Sequence, residues 1–258
     1  MKKTGLIITA VLLLITLVGI FWTPYPYTKI SYDRLKSPSA QHILGTDNFG
    51  RDILSRIMKG LGTTTAIALL TVTIGAILGT IVGAVTGYYG GWTDRILMRF
   101  NDAVTAFPTF LLALLIVSLV GPGSKYSVVI ALSLVFIPGF ARIMRTEYAS
   151  LAGRNFVISA RLMGAKDSRI MMRYLLPNTT RTLFPALTIG FNNAVLAEAG
   201  LSFLGIGVSP PDASLGYMLS ESQSLIVSAP WYVLSVGLTI VLLVFGVGLI
   251  GEGSRADA

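Results

Sequence analysis

The stretch Arg142–Arg181 reads RIMRTEYASLAGRNFVISARLMGAKDSRIMMRYLLPNTTR. It gathers eight of the chain's twenty Lys and Arg residues (Arg142, Arg145, Arg154, Arg161, Lys166, Arg169, Arg173 and Arg181), and apolar runs flank it on both sides. A basic loop between membrane spans belongs on the cytoplasmic side. This loop is also patterned. Asn155 is placed to cap a short helix with an apolar stripe of Phe156, Ala160 and Met163. Gly164 breaks that helix. Asp167 or Ser168 is placed to cap a second helix carrying Ile170, Met171, Tyr174 and Leu175, and Pro177 marks its end. The residues alone leave two readings open: a solvated basic loop lying on anionic headgroups, or a helix–turn–helix that docks into another protein.

Composition narrows the class. At 53% hydrophobic and 12% charged, the 258 residues are too apolar for an ordinary soluble domain. The net charge of +8 does not indicate nucleic acid, because the basic residues lie between apolar spans, where lipid headgroups and the positive-inside bias account for them. Without Cys there is no disulfide framework and no thiolate chemistry, and a single His argues against a His-rich metal site. No clustered carboxylate, His or Cys set suggests an enzyme. No cofactor is expected.

Apolar spans are read over Gly5–Trp22, about Thr65–Gly87, Ala103–Val120, Ser127–Ala141, Leu183–Leu204 and Val233–Ile250, which predicts an all-α integral membrane protein with six transmembrane helices. In the second span Gly75, Gly79, Gly83 and Gly87 recur every four residues, so one face invites close approach by a neighbouring helix. The fifth span carries Asn192, Asn193 and Glu198. A carboxylate inside an apolar span is costly and usually faces a bundle interior or an aqueous path. Glu198 is therefore expected either at a pathway or gate, with the two asparagines, or in a structural hydrogen bond. The polar segment from Thr23 to about Thr64 contains HILGTDNFGRDILSRIMKG at residues 42–60, where Asp47, Arg51, Asp52 and Arg56 are placed to pair locally, Asp52 with Arg56 at i, i+4. The segment reads either as a short interfacial helix leading into the second span or as a solvated structural loop.

Three motifs carry a resemblance. In the basic loop, Gly164 is followed thirteen positions later by Pro177 within Leu176-Pro177, the spacing of the signature loop of ABC-transporter permease subunits. The loop's leading Glu-Ala-Ala falls on Ile158, Ser159 and Ala160, so the Glu is absent and only the last Ala matches. The segment 42–60 resembles the His-x-Leu-Gly-Thr-Asp-x-x-Gly-Arg-Asp-x-x-Ser-Arg run of the dipeptide, oligopeptide and nickel branch. AEAGLSFLGIGVSPP at 197–211 and the ending GEGSRADA are similar to that branch too.

The resemblance implies a type I ABC importer permease fold and a role in ATP-driven import of a solute, di- or oligopeptides first and nickel or a metal complex second. It implies a coupling helix in the cytoplasmic loop, carried by Ser159, Ala160, Arg161, Gly164, Ala165, Asp167, Leu176 and Pro177, that sits in a groove on an ATPase subunit. Implied partners are two ABC ATPase subunits, a second homologous permease subunit, an external solute-binding protein and membrane lipid. The chain itself has no G-x-x-x-x-G-K-[ST] loop, so hydrolysis falls to those partners. The competing reading is an ATP-independent secondary transporter or channel using Glu198.

The expected organisation is a first span and outer segment over 1–60, a membrane core over 61–251 and a cytoplasmic tail over 252–258, multi-pass in the cell membrane with both termini inside. That topology puts thirteen basic residues inside. Seven fall outside: Lys29, Arg34, Lys36, Arg51, Arg56, Lys59 and Lys125. The outer seven break the bias, and pairing with Asp33, Asp47 and Asp52 is expected to offset them.

Overall fold

The computed structural model describes residues 2–256, with side chains described through Gly253. Asp257 and Ala258, the end of the C-terminal motif, lie outside the described residues. Among the described residues eleven α-helical segments run in order: α1 (Lys2–Phe21), α2 (Ile53–Tyr89), α3 (Gly91–Thr105), α4 (Thr109–Val120), α5 (Lys125–Ala152), α6 (Asn155–Leu162), α7 (Asp167–Arg169), α8 (Leu176–Asn178), α9 (Thr180–Phe203), α10 (Leu215–Gln223) and α11 (Pro230–Ala256). A π-helical stretch, Ile170–Leu175, joins α7 to α8. Among the described residues the only β pairing is two isolated bridges.

Four helices are long and apolar enough to cross a membrane: α1, α2, α5 and α11. The expected third span is not one helix. It is α3 and α4, bent by 86° around Ala106–Pro108. The reason is local: a proline disfavours helical backbone in the residue before it, and Pro108 itself is extended at ψ 122°, so the helix restarts at Thr109 on a new axis. The expected fifth span is α9, whose 24 residues reach about 36 Å. Asn192, Asn193 and Glu198 keep it below the hydropathy of the other four, and it runs packed against α2, α5 and α11.

The segment at 53–60 is not a separate interfacial helix. It forms the first turns of α2, which continues unbroken for 37 residues through positions 60 and 61. Asp52 caps it, accepting from the Ser55 amide and hydroxyl at 2.8 and 2.7 Å. That engagement, and His42 Nδ1 at 2.8 Å from its other oxygen, takes Asp52 away from the expected Arg56 pair.

The glycine face of α2 finds its neighbour in α5. A Cβ added at Gly79 would stand 2.5 Å from Phe140 Cβ, and one at Gly83 would stand 2.5 Å from the Ala141 carbonyl. At Gly87 the Arg145 carbonyl is closer still. Only hydrogen fits there, so the two backbones touch. Around this pair the largest core gathers Ile57, Leu61, Val72, Phe140, Phe191, Val195, Tyr232 and Val236 from α2, α5, α9 and α11.

Candidate functional site

The basic loop folds as two short helical arms around one tight turn. α6 closes with the Ala165 amide donating to the Ala160 carbonyl and the Gly164 amide to the Arg161 carbonyl, both at 3.0 Å. Gly164 sits at φ +80°, the left-handed dihedral that this helix closure demands. The caps differ from expectation. Asn155 and Asp167 are already helical, and the preceding positions are Arg154 and Lys166, whose side chains make no capping bond. Pro177 does not end the second arm either. The chain passes through α8 into α9, since a proline in a first helical turn needs no amide partner, and the π-helical stretch just before it absorbs the extra residue.

Packing welds this loop to the membrane helices. Val157, Ala160, Ile170 and Leu175 are buried against Ala84 of α2 and Met144 and Tyr148 of α5. Of the expected α6 stripe Ala160 is buried, Val157 takes the place of Phe156, and Phe156 and Met163 face outward. Polar contacts add to the weld. The Tyr88 hydroxyl donates to Asp167 Oδ1 at 2.6 Å and accepts from Arg161 Nη2 at 2.9 Å. The Tyr148 hydroxyl donates to the Met171 carbonyl at 3.2 Å. Arg145 reaches back to α3 and holds Asp94 at 2.6 Å.

Of the eight loop residues singled out in the sequence, Ala160 is buried, Ala165 and Leu176 are half-buried, and Ser159, Arg161, Gly164, Asp167 and Pro177 are exposed. Tyr88 brings Arg161 and Asp167 together. The outward face is apolar at its tip: Leu162 is 84% exposed and Met163 77%, with Phe156, Ile158 and Met172 nearby in sequence and also open. Among the described residues nothing covers that tip.

The three polar residues of α9 do not share one site. Glu198 is fully buried, accepting from the Thr64 hydroxyl of α2 at 2.8 Å and the Ser202 hydroxyl at 2.7 Å. Those partners continue outward: Thr64 Oγ1 accepts from the Leu215 amide at 3.2 Å and Ser202 Oγ from the Val208 amide at 3.0 Å. Glu198 thus ties α2, α9, the following loop and the start of α10 to one point. Asn192 turns toward Gly248 of α11. Asn193 is exposed and lines a groove on the α5 side.

A cluster of charges at the other end of the bundle contains the expected local pairing of Asp47 with Arg51 and Arg56, but its distant members, Glu221 and Tyr232, escaped the sequence reading. Asp47 Oδ2 accepts from Arg51 Nε and Arg56 Nη1, each at 2.6 Å. Glu221 of α10 accepts from Arg51 Nη2 at 2.8 Å and from Arg56 Nη2 at 2.7 Å. Arg56 also donates to the Tyr232 hydroxyl at 3.0 Å. Five groups from the outer segment, α2, α10 and α11 form one buried lattice, and so two of the basic residues that break the charge bias are neutralised. Lys36 pairs with Asp33 at 2.8 Å and Lys125 with Asp212 at 3.0 Å. Glu221 lies 170 residues from Arg51, which no local spacing rule reaches.

Comparison with known proteins fits this geometry. Residues 75–252 match the family described as "Binding-protein-dependent transport system inner membrane component". The dipeptide transport system permease protein DppC of Alkalihalophilus pseudofirmus is 40% identical over 252 residues, covering 97% of this chain and 83% of that protein. The glutathione transport system permease protein GsiD of Pectobacterium atrosepticum is 40% identical over 251 residues, covering 95% and 82%. An inward-facing structure of the MetNI methionine ABC transporter shares the fold at a TM-score of 0.63 and 21% identity, covering 79% of this chain and 96% of that one. Membership sets aside the secondary-transporter reading: ATP hydrolysis belongs to partner ATPases, and a binding protein supplies the solute. With a family match across more than half its length and relatives aligned over nearly all of it, the chain belongs to the inner-membrane permease components of binding-protein-dependent ABC importers.

Proposed function

We propose that the chain, with a second permease chain, forms the membrane passage of an importer for short peptides. The observation that carries the coupling part is the loop 155–178. Its inner face is packed onto α2 and α5, and its apolar tip, Phe156, Ile158, Leu162 and Met163, is left exposed by the described residues. An amphipathic helix with such a face seats in a groove on another protein. The groove belongs to an ABC ATPase subunit, and two such subunits serve the two permease chains. Ser159, Arg161, Gly164, Ala165 and Asp167 shape the docking turn, Ala160 anchors it, and Leu176-Pro177 joins it to α9.

The peptide assignment rests on relatives named for dipeptide and glutathione transport. Nickel is the second solute to try. Six crossings follow if α3 with α4 counts as one and α9 as another. Both termini and the loop 155–178 then face the cytoplasm. The segment 22–52, with Glu221 and Asp212, faces the binding protein outside. The inner arginines and lysines, Arg169 and Arg173 among them, lie near anionic headgroups of membrane lipid. Glu198 works as a positioning residue that fixes the outer ends of α2 and α9 to α10.

Copurification through a tag on this chain tests the assignment. ATPase and second-permease chains are expected with it, and purified complex in liposomes is expected to take up labelled dialanine only with ATP and binding protein. A tagged chain that carries peptide flux alone overturns it.

A further inference from the structure

We infer that the solute's way through this subunit is a polar stripe on α5 and α9, with a resting place for a peptide backbone at Asn193, Thr105 and Thr109. This rests on the importer reading above. Two open grooves lie one after the other on the same side of the molecule. The first, about 290 Å³, is lined by Thr105, Thr109, Gly139 and Asn193 among apolar side chains. The second, about 460 Å³, shares Gly139 and Ile143 with it and continues past Arg142, Thr146, Glu147 and Thr182. On α5 the shared lining repeats at Gly139, Arg142, Ile143, Thr146 and Glu147, which is one helical face.

Depth separates this stripe from an ordinary lipid-facing surface. α4 has 12 residues, so the bend at Ala106–Pro108 lies about 18 Å from its outer end. Gly139 stands 14 residues into α5, about 21 Å, and Asn193 ten residues from the outer end of α9, about 15 Å. All three fall inside a hydrocarbon layer of about 30 Å. The bend itself is open: Phe107 is 60% exposed, and α4 starts without a side-chain cap. Non-helical backbone at that depth is tolerated only in protein or along a watered cavity. Asn193, exposed on a span, has the same requirement.

The chemistry fits a peptide. The Asn193 amide and the Thr109 hydroxyl offer donors and acceptors to successive backbone groups, with Phe136 and Phe140 beside them for side chains. The Thr105 hydroxyl donates to the Asn101 and Asp102 carbonyls and accepts from Arg142 Nη2 at 3.3 Å, which leaves it one lone pair for a ligand. Further along, Arg142, half of whose side chain stays open beside Asp102, and Glu147 suit the charged ends of a short zwitterion. The grooves lack one wall, and the second permease chain supplies it.

The chain has no Cys, which makes accessibility a direct test. In the full complex in liposomes, with Cys-free partners, Asn193→Cys, Thr109→Cys and Thr146→Cys are each treated with a charged methanethiosulfonate. Leu14→Cys, at similar depth on the far helix α1, is the control. With and without a trapped ATP state, the stripe positions are expected to react at least about tenfold faster than Leu14→Cys in one of the two states, since charged reagent reaches only watered positions. Rates equal to the control in both states overturn the inference. If Asn193→Cys does not assemble, Thr109→Cys decides alone, because Thr146, 21 residues or about 31 Å along α5, lies at the inner margin of the layer. ATPase copurification with the unmodified chain reads the importer assignment separately, so its failure is distinguishable from unreactive cysteines.

Discussion

Replacing Gly164 by Val isolates the docking turn from the rest of the protein. A Cβ built at Gly164 meets nothing within 4 Å, so the substitution brings no clash. The whole cost is the backbone: φ +80° in a β-branched residue costs about 1–3 kcal/mol. The loop's anchorage resists global loss, because Val157, Ile170 and Leu175 are fully buried and each contributes about 1.5–3 kcal/mol. The strain therefore falls on the turn. At 2 kcal/mol its population drops about thirtyfold against competing turns. Leu162 and Met163, immediately before it, lose their fixed position while the membrane helices stay folded. The series sharpens the test, because Asn tolerates the left-handed region and Ala does so less well. Gly164→Asn is expected to keep ATPase copurification and uptake, Gly164→Ala to weaken them, and Gly164→Val to reach the membrane yet lose both. Copurification and uptake are measured on the same preparation. Normal values for Gly164→Val would show that this turn does not set the docking geometry.

Other expectations are structural or topological. Gly83→Leu places a side chain where the α5 backbone already lies, 2.5 Å from Ala141 O, and should cost about 3 kcal/mol or more, read as loss of membrane-inserted chain on a gel. Glu198→Ala leaves the Thr64 and Ser202 hydroxyls without their acceptor and is expected to loosen the α9–α10 connection, raising protease sensitivity at 204–214, while Glu198→Gln keeps most of it; equal behaviour of the two variants refutes the positioning role. Glu221→Ala leaves Arg51 and Arg56 with Asp47 as their shared carboxylate and is expected to cost about 1.5–3 kcal/mol, with Arg56→Met partly restoring stability in the double variant. In intact cells an impermeant thiol reagent should label Asp212→Cys and spare Ser159→Cys; the reverse pattern inverts the topology.

Long-period features were legible in the sequence and short-range geometry was not. The four-residue glycine spacing of α2 named a close neighbour, and α5 is that neighbour. Gly164 was read as the break between two helical arms, and it is one. Misreadings cluster where one residue had two candidate partners. Asp52 was assigned to Arg56 by i, i+4 spacing, but capping the α2 amides and holding His42 took it first. Arg56 then found Glu221, far away in sequence. The third span read as continuous because hydropathy averages over Pro108, whereas the backbone turns there by 86°. Glu198 and Asn193 were grouped because they share a helix, yet five residues are not a whole number of turns, and one is buried while the other faces a groove.

The length of α2 has a further meaning. Its 37 residues contain no proline and form a rod of about 55 Å, roughly twice the thickness of the hydrocarbon layer. Near one end Arg56 is locked into the charge lattice with Glu221 and Tyr232. Near the other, Ala84 and Tyr88 hold the basic loop. A stiff beam fixed at both ends transmits angle rather than distance. A tilt of about 10° imposed at the loop sweeps the far end through about 10 Å of arc, so a small rotation beneath the membrane is a large displacement above it. Alternatively, if the charge lattice holds that end still, the beam pivots on Arg56 and the same sweep occurs at the loop.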